Sequence, residues 1–81
     1  MEKKIVINST AGLHASLAAK VVQTASQYDV DIKLLYQDQV VDVKSILGLI
    51  SLAIPKGKDV LLIAKGKDAE VAVNEIEKIL S

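Results

Sequence analysis

The stretch Val60-Leu61-Leu62-Ile63-Ala64 constrains the fold most: five apolar residues in a row, with no helical spacing among them. A continuous apolar run of this length, opened by Asp59 and closed by Lys65-Gly66, reads as a strand in the middle of a sheet. A central strand needs neighbours on both edges, and the rest of the chain supplies them. Lys3–Asn8 (KKIVIN) is a short β-branched run with Ile5 and Ile7 on one face by the two-residue period. Asp31–Tyr36 (DIKLLY) and Gln39–Lys44 (QVVDVK) read as two more strands, joined as a hairpin around Gln37–Gln39, although the Asn-Gly or Asp-Gly signal of a tight turn is missing.

Between the strands the period changes. Ala18, Val21, Val22 and Ala25 recur at helical spacing and predict a helix from Ala15 to Ser26. Ser45 is a favoured N-cap, Ile46 to Leu52 can form two turns, and Pro55 and Gly57 end them. A last helix follows Asp68 as its cap, with Ala69, Ala72, Val73, Ile76 and Leu80 as its buried stripe. The order β-α-β-β-α-β-α predicts an α+β sandwich, an antiparallel or mixed sheet with helices on one face. No repeat, linker or low-complexity segment divides residues 1–81, so one domain is expected.

A chain of 81 residues is near the size at which one core is just adequate, and its 51% hydrophobic content favours folding. Two tyrosines are the only aromatics, so the core must be built from Val, Ile, Leu and Ala. There is no cysteine, which removes disulfides, thiolate nucleophiles and thiolate metal sites; with a single histidine, nothing in the composition supports a metal centre. Ten lysines balance ten acids, and that neutrality leaves no nucleic-acid footprint. The longest near-apolar run, Ile46–Ile54, is half a transmembrane span, and MEKKIVIN has no signal-peptide core, so a cytoplasmic protein without membrane insertion is expected. No arginine is present, although bidentate grips on phosphate or carboxylate normally use one.

Three features carry the functional reading. His14 stands where the loop Thr10–Leu13, with Gly12 in it, enters the first helix. The first turn of a helix has unpaired N–H groups and partial positive charge. An imidazole is a competent nucleophile near neutral pH, so a histidine placed there can accept a phosphoryl group and hold it against free amides. The physics permits this role without singling it out, and on physics alone a lone surface histidine is more often inert. Ser45 has the same duality: a favoured N-cap, or a phosphorylation site that would gain about two negative charges. Finally, Ile46, Leu47, Leu49, Ile50 and Leu52 cover nearly all sides of a short helix that can bury one, which predicts an exposed apolar patch for docking.

Residues GLHASLAA (12–19) together with VKSILGLISLAIPKG (43–57) resemble the HPr family, the histidine-containing phosphocarriers of the bacterial sugar phosphotransferase system. The resemblance spans nearly the whole chain. It implies an open-faced β-sandwich, a four-stranded antiparallel sheet with three helices on one face. It implies that His14 takes phosphate from Enzyme I and passes it to IIA-type proteins. It implies that Ser45 is the target of a regulatory HPr serine kinase, and that Ile46, Leu47 and Ile50 form the docking surface. Such a protein is a phosphoryl carrier rather than an enzyme and binds no cofactor of its own.

Two departures fall beside His14. The family usually reads Gly-(Leu/Ile)-His-Ala-Arg-Pro; this chain has Ser16 at the Arg position and Leu17 at the Pro position. Ser16 can offer phosphate or a partner one hydroxyl but no charge, a loss of roughly 1.5–3 kcal/mol, or about one to two decades in rate. Leu17 returns a backbone N–H that proline lacks and adds apolar bulk. The alternative the resemblance leaves open is a regulatory relative, in which phosphorylation of Ser45 controls binding to a transcription regulator or enzyme and little phosphate passes through His14. A ferredoxin-like ligand-binding domain is the reading outside the family, and the short, apolar second helix argues against it.

Overall fold

In the computed structural model, which describes residues 1–81, the apolar run becomes an interior strand of a four-stranded antiparallel sheet. The elements are β1 (Glu2–Val6), α1 (Ala15–Ala25), β2 (Asp31–Tyr36), β3 (Gln39–Asp42), α2 (Ile46–Ser51), β4 (Asp59–Lys65) and α3 (Ala69–Leu80). The strand order is β1-β4-β2-β3, so β4 lies between β1 and β2 as its composition demands.

Register decides what each face carries. Ile5 pairs with Val60, Leu34 with Leu62 and Ile32 with Ala64. All six are buried beneath the three helices, which lie on this one face. The alternate residues of β4, Leu61 and Ile63, stay half-buried on the opposite, open face. Lys4 stands opposite Leu61 and Lys33 opposite Ile63 across the ladder, where lysine stems cover apolar surface while their charges stay wet. Ion pairs Lys4–Asp59 (3.4 Å), Lys33–Asp31 (3.2 Å) and Lys33–Asp42 (3.5 Å) lace that face. The Lys33 pKa is raised above its ordinary 10.5, chiefly by its bond to Asp31 and further by Asp42, with partial desolvation opposing. Continuous apolarity in β4 therefore marks a central strand, but not one covered on both sides.

The core is a single cluster of 21 residues, aliphatic except for Tyr36, with no buried polar side chain. Helix α1 buries Ala18, Val21 and Ala25; α3 buries Ala72, Val73, Ile76 and Leu80. The small residues on α1 suit its packing against α3 and α2.

Three sequence expectations need correction. The first strand ends at Val6, two residues early: the Ile7 amide still donates to Lys58 O in register (3.0 Å), but the Asn8 amide leaves β4 and donates to Leu80 O (2.8 Å). The third strand ends at Asp42, because that side chain accepts the Lys44 N–H (2.9 Å) and its carbonyl the Ser45 N–H (2.9 Å), turning the chain into α2. Asp68 stands at the N-cap of α3 but does not cap it. Its carboxylate accepts the Asp29 amide instead (2.9 Å), tying the start of α3 to the turn before β2.

Candidate functional site

The loop before α1 is built from the backbone outward. Gly12 is buried with φ +72°, a left-handed conformation that side chains rarely adopt. A Cβ there would collide with the Ile54 carbonyl oxygen and stand 2.9 Å from Pro55 Cα. The loop thus lies directly on the segment that leaves α2. The Leu13 amide donates to Ile54 O (2.8 Å), and the Leu13 side chain is buried. The acceptor is aimed by Ala53, which adopts φ +50° just after α2 and turns the chain back. This turn falls before Pro55 and Gly57, the residues the sequence reading made the stop.

His14 comes next, at the N-cap of α1, with φ −94° and ψ 177°. Its carbonyl accepts the Ala18 N–H (2.8 Å), the first bond of the helix, and its own N–H donates to Gly12 O (3.1 Å). The imidazole is exposed and makes no capping bond. The amides of Ala15, Ser16 and Leu17 have no acceptor within the protein, and no acidic residue lies in the first turn. A free imidazole therefore stands beside three unclaimed donors at the positive end of an 11-residue helix.

Ser16 is exposed and its hydroxyl is unbonded. Leu17 is half-buried and packs on the core, so what it offers an anion is its backbone N–H. Ser45 caps α2, its Oγ accepting the Gly48 N–H at 3.1 Å. On α2 the division is clear: Leu49 is fully buried, whereas Ile46, Leu47 and Ile50 are 39%, 77% and 38% exposed. The predicted apolar patch is present on the surface.

The site residues fall into two groups. His14, Ser16 and Leu17 share the start of α1. Ser45 and Ile46 lie at the far end of α2 from the Ile54 carbonyl, about 9 Å of helix away. The two groups are joined by packing of α1 on α2 and by the Leu13–Ile54 bond. The sequence reading missed Ala53 and Ile54 as supports of this loop, because a carbonyl that accepts one bond leaves no side-chain signature. No three His, Asp or Glu side chains come together as a ligand set.

A family model described as the PTS HPr component phosphorylation site matches residues 1–81. The chain belongs to the HPr family. Its fold superposes on the phosphocarrier protein HPr from Bacillus anthracis with a TM-score of 0.95 at 32% identity, covering 100% of this chain and 96% of that one. HPr-C-His from Thermoanaerobacter tengcongensis gives 0.93 at 38% identity, over 99% of this chain and 90% of that one. Crh from Bacillus subtilis, a catabolite repression protein described as a domain-swapped dimer, gives 0.78 at 36% identity, over 95% and 88%. HPr membership supports a phosphocarrier role among partners of the phosphotransferase system, not a free-standing catalyst. No helix is long and apolar enough to cross a membrane.

Proposed function

We propose that this protein accepts a phosphoryl group on His14 from Enzyme I and delivers it to IIA-type proteins of the sugar phosphotransferase system. The observation that carries this reading is the unengaged imidazole at the N-cap of α1, beside the unpaired amides of Ala15, Ser16 and Leu17. A ring nitrogen attacks phosphorus; the new P–N bond forms as the bond from phosphorus to the donor's leaving atom breaks, and the ring N–H proton is released to solvent. The transferred group carries about two negative charges, which the amides and the helix dipole stabilise. Transfer to the acceptor reverses the step and frees the imidazole. Ile46, Leu47 and Ile50 give the partner an apolar surface to dock on. Ser16 contributes a hydroxyl and no charge, so a Ser16→Arg variant should accept phosphate about ten times faster than the wild type.

Two separate observations support a regulatory reading: similarity to Crh extends over 95% of this chain, and Ser45 is exposed beside the α2 patch. A kinase acting there would place about two negative charges next to Ile46 and Leu47 and change which partners dock. The two readings are separated by incubating the protein with phosphoenolpyruvate and Enzyme I and following intact mass. One acid-labile phosphate that disappears in the His14→Ala variant supports the carrier. No label at high Enzyme I sinks the carrier reading and leaves control through Ser45.

A further inference from the structure

Between Lys4 and Asp29 the chain has one permanently charged side chain, Lys20. The loop before α1 has none, and α1 itself has no acid. In a chain that is 25% charged, a neutral stretch of this length around a single cation sets that cation apart. Lys20 is exposed and, like Lys44, Lys56, Lys58, Lys65 and Lys67, takes part in none of the ion pairs; Lys3, Lys4, Lys33 and Lys78 are each held by a carboxylate. It stands four residues after Ser16, one turn along the exposed side of α1, opposite the buried Ala18, Val21 and Ala25.

Helical side chains lean toward the N-terminus and lie over the preceding turn. The rise from Ser16 to Lys20 is about 6 Å. A lysine can span that with its flexible four-carbon stem, so its ammonium can reach back past Ser16 toward the ligand side of the three free amides. The amides supply partial charges only, so a dianionic group on His14 has no full countercharge in its own turn. We propose that Lys20 supplies it, contacting the phosphoryl oxygens of phosphorylated His14 from six residues further on, one turn of α1 beyond Ser16. This assignment rests on the phosphocarrier reading. The rival cation is Lys56: it has no ion-pair partner, and its backbone N would lie 3.2 Å from a Cβ at Gly12.

The test uses the full chain as wild type, Lys20→Gln, Lys20→Arg and Lys56→Gln. Each is phosphorylated with phosphoenolpyruvate and Enzyme I and titrated by phosphorus NMR, with kcat/KM for phosphorylation measured in parallel. An adjacent ammonium favours the dianion, so Lys20→Gln should raise the phosphoryl pKa by about half a unit. It should also lower kcat/KM about fivefold. Lys20→Arg should restore both. Thermal unfolding of the exposed variants should match the wild type, which separates charge from structure. An unchanged phosphoryl pKa and rate in Lys20→Gln, or larger changes in Lys56→Gln, overturns the role of Lys20 while leaving the carrier intact. A wild-type protein that takes no label on His14 overturns the carrier reading and this inference with it.

Discussion

Replacing Gly12 by alanine tests whether the loop carrying His14 is held in place by α2 and the segment after it. The substitution has two separable costs. Alanine at φ +72° costs about 1–2 kcal/mol for the left-handed backbone. Its Cβ also meets the Ile54 carbonyl oxygen, so the loop must lift and the 2.8 Å Leu13–Ile54 bond breaks; leaving buried groups unsatisfied costs about 1–3 kcal/mol. Together these give about 2–5 kcal/mol, or a fall in Tm of about 8–40 °C for a domain of this size. Gly57→Ala is the control: its φ is +90°, but nothing lies within 4 Å of the added Cβ, so it bears the backbone cost alone. Urea denaturation followed by circular dichroism reads both variants, and phosphoryl labelling of His14 reads the loop. We expect Gly12→Ala to lose at least 1 kcal/mol more than Gly57→Ala and to take label more slowly. Equal losses in the two variants, with labelling intact, would refute the idea that docking on Ile54 and Pro55 positions His14.

Other perturbations follow from the same contacts. Ser45→Ala removes the cap on Gly48 N–H and should cost about 1 kcal/mol in urea melts, whereas Ser45→Asp keeps a capping oxygen and should recover most of it. A Ser45→Ala variant as stable as wild type would show that the 3.1 Å bond contributes nothing. Leu47→Ala should leave stability within about 0.5 kcal/mol yet weaken partner binding about tenfold by calorimetry, because the side chain is 77% exposed. Leu49→Ala, two positions on and fully buried, should destabilise by about 2–5 kcal/mol, and a reversal of these two results would disprove the assignment of the faces of α2.

Much of this architecture was legible in the residues. The run Val60–Ala64 demanded a flanked strand, and β4 lies between β1 and β2. Surplus apolar residues on a helix of two turns demanded exposure, and Ile46, Leu47 and Ile50 are exposed. Both inferences rest on counting apolar side chains against the area available to bury them. The strand ends were less legible, because Val6 and Asp42 are followed by residues that read equally well as strand. What stops pairing there is the Asn8 bond to Leu80, at the opposite end of the chain, and the local Asp42 turn. Asp68 looked like a cap for the helix it precedes, but its carboxylate accepts from the Asp29 amide, thirty-nine residues earlier in the chain, instead.

For the candidate site, residue types alone marked the proposed phosphoryl acceptor and its setting: one histidine, a glycine two residues before it, a helix beginning directly after it, and no arginine anywhere. Local backbone preferences and the unpaired amides of any helix start are properties of short segments, so they can be read without a fold. Tertiary structure decided what holds that segment still. The left-handed turn at Ala53, the carbonyl of Ile54 and the close approach of Pro55 to Gly12 lie some forty residues away along the chain. They act through backbone atoms that every residue shares, so their role exists only once α1 and α2 have packed side by side.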